Sequence, residues 1–285
     1  MTTAVLAAPD LTLPPAPSGA LSRLRWATRD SLVIAGRSIR QIRNVPERLS
    51  DVTIQPIMFV LLFAEVFGTA IVVPGGGSYH EYLLPGIIAQ STVFGTFGAA
   101  IGMATDRHEG FVDRLRSLPI ARGSVLTGRM TAEVALASFG LLVNIVVGLL
   151  VGWRVHRGLW HTLLAVAILL SFVIAMTWLG TLIGLLVRSQ EAVPGILFPI
   201  LFPITFLANT FVPITGLPGW LKVIAEWNPV SAVVAACRGQ FGNPNPGLDA
   251  WPLQHAIAVS FGWAVIISVV CASLALLRWR NISIG

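Results

Sequence analysis

Long charge-free runs alternate along this chain with short segments that collect nearly all of its charge. Residues 83–105 carry no charged side chain, and residues 52–73 are interrupted only by Glu65. Four further apolar windows follow, at 134–153, 162–187, 192–213 and 256–277. Each has 20 to 26 residues, against roughly 20 needed to cross the hydrocarbon core of a bilayer as a helix. Lipid offers no water to a backbone N–H or C=O, so each window is predicted to close its hydrogen bonds internally. The pattern predicts an all-α integral membrane protein with six transmembrane helices, occupying residues 50–285.

The polar punctuation adds three features. Ahead of the first window, "LSRLRWATRDSLVIAGRSIRQIRN" places Leu21, Leu24, Leu32, Ala35, Ile39 and Ile42 on one narrow helical face. Arg25, Arg29, Arg37, Arg40 and Arg43 take the neighbouring face. An N-terminal amphipathic helix is therefore expected over 21–49, lying in the membrane interface and ending near Pro46. It is read either as a lipid anchor or as a collar that also touches a partner. Residues 1–20 hold four prolines and no Lys or Arg; they are expected to be a disordered tail rather than a cleaved secretory signal. The fifth window places Pro194, Pro199, Pro203 and Pro213 in one helix, where kinks are expected. After it, "ITGLPGWLKVIAEWNPVSAVVAACRGQ" contains two apolar pieces, each too short to cross. Asn228 followed by Pro229 is a helix-start signature, and Trp220 and Trp227 suit a membrane interface. These residues are read as a pair of external re-entrant helices between spans five and six.

Composition supports lipid as the solvent. Of 285 residues 55% are hydrophobic and 11% charged, more apolar surface than a soluble core of this size could bury. The net charge of +6 comes from Arg, and in such a chain it reports topology and anionic lipid contact rather than nucleic acid. With the N-terminus inside, fifteen of the 19 Lys and Arg residues fall in cytoplasmic segments. Arg154, Arg157, Lys222 and Arg238 are left to external loops, so both termini are expected to be cytoplasmic. Cys237 and Cys271 form no CxxC pair, which disfavours a disulfide framework or a zinc site.

Familiar catalytic motifs are missing. The sequence has no GxxxxGK[ST], no HExxH and no GxSxG. "PGGGSYHEY" lacks the Lys of a phosphate loop and is read as an external turn. His80, His108, His156, His161 and His255 are scattered, with no metal-ligand spacing. Neither catalytic nor metal residues are assigned. Instead, Glu65 lies midway along the first span, where an acid faces a cavity and favours cationic amphiphiles or hydrogen-bonds another helix in neutral form. Glu133, near the end of span three, is expected to snorkel, and Gln90 and Asn144 to act as interhelical glue. Phe94, Phe97, Phe198, Phe202, Phe206 and Asn209 form a candidate substrate path, aromatic with one polar contact. The stretch "DRHEGFVDRLRSLPIARG" repeats Phe111, Leu115 and Leu118 at i, i+4, i+7, with Glu109, Asp113, Arg114 and Arg116 around them and Pro119 as a stop. A short helix of mixed charge suits a protein contact, since a lipid-facing one would favour uniform positive charge.

Three motifs occurring in order carry a resemblance: "EYLLPGIIAQ", "EGFVDRLRSLPIARGSVLTGR" and "NTFVPITGLPGWLKVIAEWNPVSAVVAACRG". From about Arg37 onward the chain resembles the membrane subunit of a type-2 ABC transporter, within the daunorubicin-resistance type of bacterial drug exporter. The resemblance implies a six-helix permease of the bacterial cell membrane that exports amphipathic drugs or lipids. It implies a second permease, identical or sibling, and a dimeric cytoplasmic ATPase that binds ATP and Mg, with no cofactor in this chain. Glu109, Phe111, Asp113, Arg114, Leu115, Leu118 and Pro119 match the family's ATPase-coupling helix, and 21–49 its connecting helix. Trp220, Trp227, Asn228 and Pro229 fall in its external re-entrant segment. Glu65 departs from the apolar or aromatic residues usual there. An ion-coupled secondary transporter is the alternative, resting on one buried Glu without any apparent inverted repeat. A lipid-modifying enzyme would need a His, Asp or Ser cluster that the sequence lacks.

Overall fold

Every regular element is helical among the residues that the computed structural model describes: 46–67, 78–108, 124–211 and 216–281, with single positions 29, 36 and 76. In chain order these are α1 (Pro46–Phe67), α2 (Tyr79–His108), α3 (Ser124–Val151), α4 (Leu159–Leu186), α5 (Ala192–Leu207), α6 (Gly219–Trp227), α7 (Pro229–Phe241), α8 (Trp251–Gln254) and α9 (Ala256–Asn281). By length and composition four stretches can cross a membrane: Tyr79–His108, Leu126–Val151, Leu159–Leu186 and Ala256–Trp279. Shorter apolar helices run over Thr53–Phe63 and Ala192–Leu207. The tail expected at 1–20 and nearly all of the amphipathic stretch at 21–49 lie outside the described residues.

The fifth window differs from its sequence reading. α5 has 16 residues, and its last turn gives way at Ala208 to extended backbone. Pro199 and Pro203 lie inside it, and Pro213 lies outside the described residues. Two prolines one turn apart have already removed ladder bonds, and Asn209, Thr210 and Phe211 then bury themselves against α2 instead of extending the helix. A Cβ on Gly86 of α2 would stand 2.8 Å from the Thr210 methyl group.

The centre of the bundle is α2 against α4. A Cβ on Gly180 would come within 2.5 Å of the Thr96 carbonyl oxygen and 2.8 Å of the Ala99 Cβ. One on Gly184 would come within 2.5 Å of the Ala100 carbonyl oxygen and 2.7 Å of the Met103 Cβ. This is a small-xxx-small seam, through which two backbones approach closely enough for dispersion to hold helices together in lipid. Its four-residue spacing is readable in the sequence, but the partner strip on α2 is not. At one end of α4 the helix is closed by a neighbour: Arg107 Nη1 donates to the carbonyls of Leu185 and Val187, both at 3.0 Å. Those carbonyls would otherwise lack partners.

Several serine and threonine hydroxyls inside the bundle bond back to their own helices. Thr92 donates to Ile88 O at 3.1 Å, Thr177 to Val173 O at 2.8 Å and Ser260 to Ala256 O at 2.6 Å. Polar side chains are thereby accommodated in apolar surroundings without cross-helix partners.

Gly184→Leu should disrupt the seam, because the atom it meets is backbone and cannot step aside. Thermal unfolding of the detergent-solubilised protein should show a loss of at least about 2 kcal/mol. Gly95→Ala, whose Cβ meets nothing within 4 Å, should be neutral.

Candidate functional site

The phenylalanines singled out in the sequence divide into two groups. Along the exposed face of α5, Phe198 stacks on Phe202 at 5.1 Å and Phe202 on Phe206 at 4.2 Å between ring centroids. The series continues from Phe206 to Phe211 at 5.4 Å, then to Phe63 of α1 at 4.4 Å and Phe59 at 5.6 Å. The four-residue spacing of α5 puts these rings in a column, and buried Phe211 turns the column across to α1. Phe94 and Phe97, 6.0 Å apart on α2, instead line a cavity of about 420 Å³ between α1, α2 and α3. Phe59 and Phe198 reach its wall; Phe202 and Phe206 do not line it.

Asn209 belongs to neither group. It is buried, with its backbone N–H donating to Ser231 Oγ at 3.3 Å and its carbonyl accepting from Tyr82 Oη at 3.0 Å. α5 ends at Leu207, which turns residue 209 inward while Phe206 stays exposed.

Arg238, assigned from sequence to an external loop, is fully buried in α7. Its Nε donates to Tyr82 O at 2.8 Å, one Nη to Thr210 O at 3.1 Å, and its guanidinium stands 3.5 Å over the Tyr82 ring. Among the described residues no carboxylate pairs with it; two carbonyl dipoles and a ring face meet the charge. One side chain thus fastens α7, α2 and the 208–211 segment together. No periodicity singles out such an arginine, because its partners are backbone atoms remote in sequence.

Asn228 does more than its cap signature indicates. Its Oδ1 accepts from Val230 N at 2.8 Å, starting α7, while its Nδ2 donates at 2.6 Å to Ile204 O in the last turn of α5. Pro229 follows at the first position of α7. Trp220 and Trp227 are exposed on α6, Trp227 lying 6.4 Å from Trp251. The α3–α4 connection is held to the end of α7, where buried Trp153 donates through Nε1 to Asn243 Oδ1 at 2.8 Å. His156 and His161, close in sequence, take separate partners: Glu81 at 2.7 Å and Gln240 at 2.8 Å. Among the described residues no group of three or more His, Cys, Asp or Glu is placed to hold a metal.

At the opposite end, Arg129 pairs with Asp106 of α2 and donates to Glu133 Oε1 at 3.1 Å. Glu133 is buried rather than snorkelling, since the arginine one turn earlier supplies its counter-charge within the bundle. The segment between α2 and α3, holding Glu109, Phe111, Asp113, Arg114, Leu115, Leu118 and Pro119, lies outside the described residues. Glu65 falls on α1, and its side chain also lies outside what the structure describes.

Comparison with known proteins gives a consistent result. The family model described as "ABC-2 type transporter" matches residues 31–241. The chain is 29% identical over 245 residues to the "Daunorubicin resistance ABC transporter permease protein DrrB1" of Streptomyces coeruleorubidus, covering 86% of this chain and 84% of that protein. It is 28% identical over 228 residues to the "Probable doxorubicin resistance ABC transporter permease protein DrrC" of Mycobacterium tuberculosis, covering 80% of each. A "Putative transport permease ycf38" of Porphyra purpurea is 25% identical over 229 residues, covering 79% and 77%.

Replacing Arg238 tests the anchor. Arg238→Ala should lower thermal stability by about 2–4 kcal/mol through lost packing and hydrogen bonds to two buried carbonyls. Arg238→Lys should not restore it, because a single ammonium cannot reach both carbonyls while stacking on Tyr82. Calorimetric or fluorescence-monitored melting of the purified protein reads both.

Proposed function

The chain belongs to the ABC-2 type transporter family, and on that footing we propose that it is the membrane-spanning permease subunit of an ATP-driven exporter of amphipathic drugs or lipids. The observation that carries the reading is the family match over 31–241 in a sequence with four membrane-length apolar helices and no GxxxxGK[ST] phosphate loop. ATP and Mg are bound in this reading by a separate cytoplasmic ATPase dimer. α1 and α5 complete a set of six spans, both termini face the cytoplasm, and α6 and α7 dip into the outer leaflet. A second permease, identical or sibling, faces the α5 aromatic column, which with Phe94 and Phe97 forms the substrate path. The membrane is the cytoplasmic membrane of a bacterium. Support for drug-like amphiphiles comes from the similarity to daunorubicin- and doxorubicin-resistance permeases.

Co-expression with the ATPase subunit and transport into inside-out vesicles test this directly. Uptake of a fluorescent amphiphile should require ATP and persist when the proton gradient is dissipated. Uptake abolished by an uncoupler alone, and indifferent to ATP, would replace this reading with ion-coupled transport.

The segment 109–119 is proposed to transmit the ATPase's motion, with Phe111, Leu115 and Leu118 filling a cleft in the partner and Glu109, Asp113, Arg114 and Arg116 forming its charged rim. A desolvated apolar anchor contributes more than a screened rim charge. Leu115→Ala should therefore reduce ATPase pull-down or substrate-stimulated hydrolysis by roughly tenfold or more. Arg116→Ala should change either by less than about fivefold. Pro119→Ala, altering the exit towards α3, should retain binding and lower stimulation.

A further inference from the structure

We infer that the cavity between α1, α2 and α3 is a ligand site contained in a single chain, for an elongated amphiphile bearing a neutral group that both donates and accepts a hydrogen bond, a hydroxyl or an amide. The inference rests on the permease reading for its place in transport, and on the following geometry for its chemistry.

At about 420 Å³ the cavity falls within the range of small-molecule sites, roughly 300–1,000 Å³. Its walls are mostly apolar and aromatic, with Phe59, Ile87, Phe94, Phe97 and Leu141 among them. The few polar groups are unevenly engaged. Thr177 bonds to Val173 O at 2.8 Å, Ser91 to Ile87 O at 2.8 Å, and Glu133 accepts from Arg129. Gln90 and Asn144, each only 2% exposed, also line the cavity. Gln90 Nε2 is buried without an acceptor. Asn144 donates through Nδ2 to Gly140 O on its own helix at 2.9 Å, and its Oδ1 has no donor.

Asparagine and glutamine in membrane helices ordinarily bond across helices, and that was the expectation for this pair. Instead the bundle leaves one donor and one acceptor unpartnered on two side chains that line the cavity, where lipid tails can satisfy neither. A ligand hydroxyl can donate to such an acceptor or accept from such a donor.

The shape restricts the ligand further. The lining runs from Ile87 to Ile101 on α2, roughly 21 Å at 1.5 Å per residue, so the space is long and parallel to the helices. Gly95 and Gly98 leave its wall bare, and a Cβ at either meets nothing within 4 Å. Exposed Phe198 stands at the edge. Access is therefore lateral, between α2 and α5, as suits a molecule that arrives from the bilayer.

The test uses the full chain in phosphatidylcholine nanodiscs, with 1-pyrenebutanol as probe and pyrene as its counterpart lacking the polar group. Binding is read as saturable energy transfer from tryptophan to pyrene. The alcohol should bind more tightly than the hydrocarbon. Gln90→Leu and Asn144→Leu should each weaken the alcohol by roughly two- to tenfold, the worth of one hydrogen bond, and leave pyrene unchanged. Gly98→Phe, entering open space, should abolish saturable binding of both at unchanged melting temperature. Alcohol affinity unaltered in the Gln90 and Asn144 variants, or retained in Gly98→Phe, overturns the inference, as does wild-type protein without saturable binding. The assay needs no ATPase, so a chain that binds the alcohol yet supports no ATP-dependent export contradicts the proposed function and not the site.

Discussion

The contact between α2 and α4 is the one the remaining helices depend on. In lipid there is no hydrophobic gain from bringing two apolar helices together, so association has to come from close backbone approach and hydrogen bonds. Gly180 and Gly184 permit that approach, one turn apart, against a strip of Thr96, Ala99, Ala100 and Met103. With α2 fixed in this way, its other faces receive α1, α3, α5 and α7. Burial follows the same order. α2 is the most enclosed of the four membrane-length helices, while α9 and α3 turn most of their surface outward. Exposed leucines, isoleucines and valines on α3 and α9 are the surface such a bundle offers to lipid tails.

Polar groups within this framework are treated in three ways. Many hydroxyls, such as those of Thr92, Thr177 and Ser260, fold back on their own helices and cost the packing little. Charged groups recruit specific partners: Arg107 closes the end of α4, Arg129 joins Asp106 and Glu133, and Arg238 gathers Tyr82 and Thr210. Gln90 and Asn144 show a third behaviour: both line a cavity, and each has an amide atom without a protein partner.

The end of α5 links framework to path. Its helix stops where Asn228 takes the Ile204 carbonyl and simultaneously starts α7. The same elbow sends Asn209 and Thr210 under Tyr82 and Arg238, and leaves the Phe198–Phe202–Phe206 column on the outer face. A movement of α5 relative to α7 would thus be felt at both the aromatic column and the buried arginine.

Much of this protein is determined by its sequence alone. The apolar windows mark the long helices, because a span's length and lack of charge are local properties set by bilayer thickness and backbone hydrogen bonding. The start of α7 at Asn228–Pro229 is likewise local, since a cap needs only its own first turn. The three motifs from Glu81 to Gly239 were enough to indicate the family. Other features only the tertiary structure decided. α5 ends at Leu207 although its apolar run continues, because burial of residues 208–211 against α2 outweighs continuation of a proline-weakened helix. Arg238 enters the interior because carbonyls from two distant segments converge there. Phe94 and Phe206 part company, and Gln90 and Asn144 line a cavity. Each of these depends on which helix faces stand opposite one another at ångström separation, and in lipid that is set by small-residue packing between remote segments, to which hydropathy along the chain is blind.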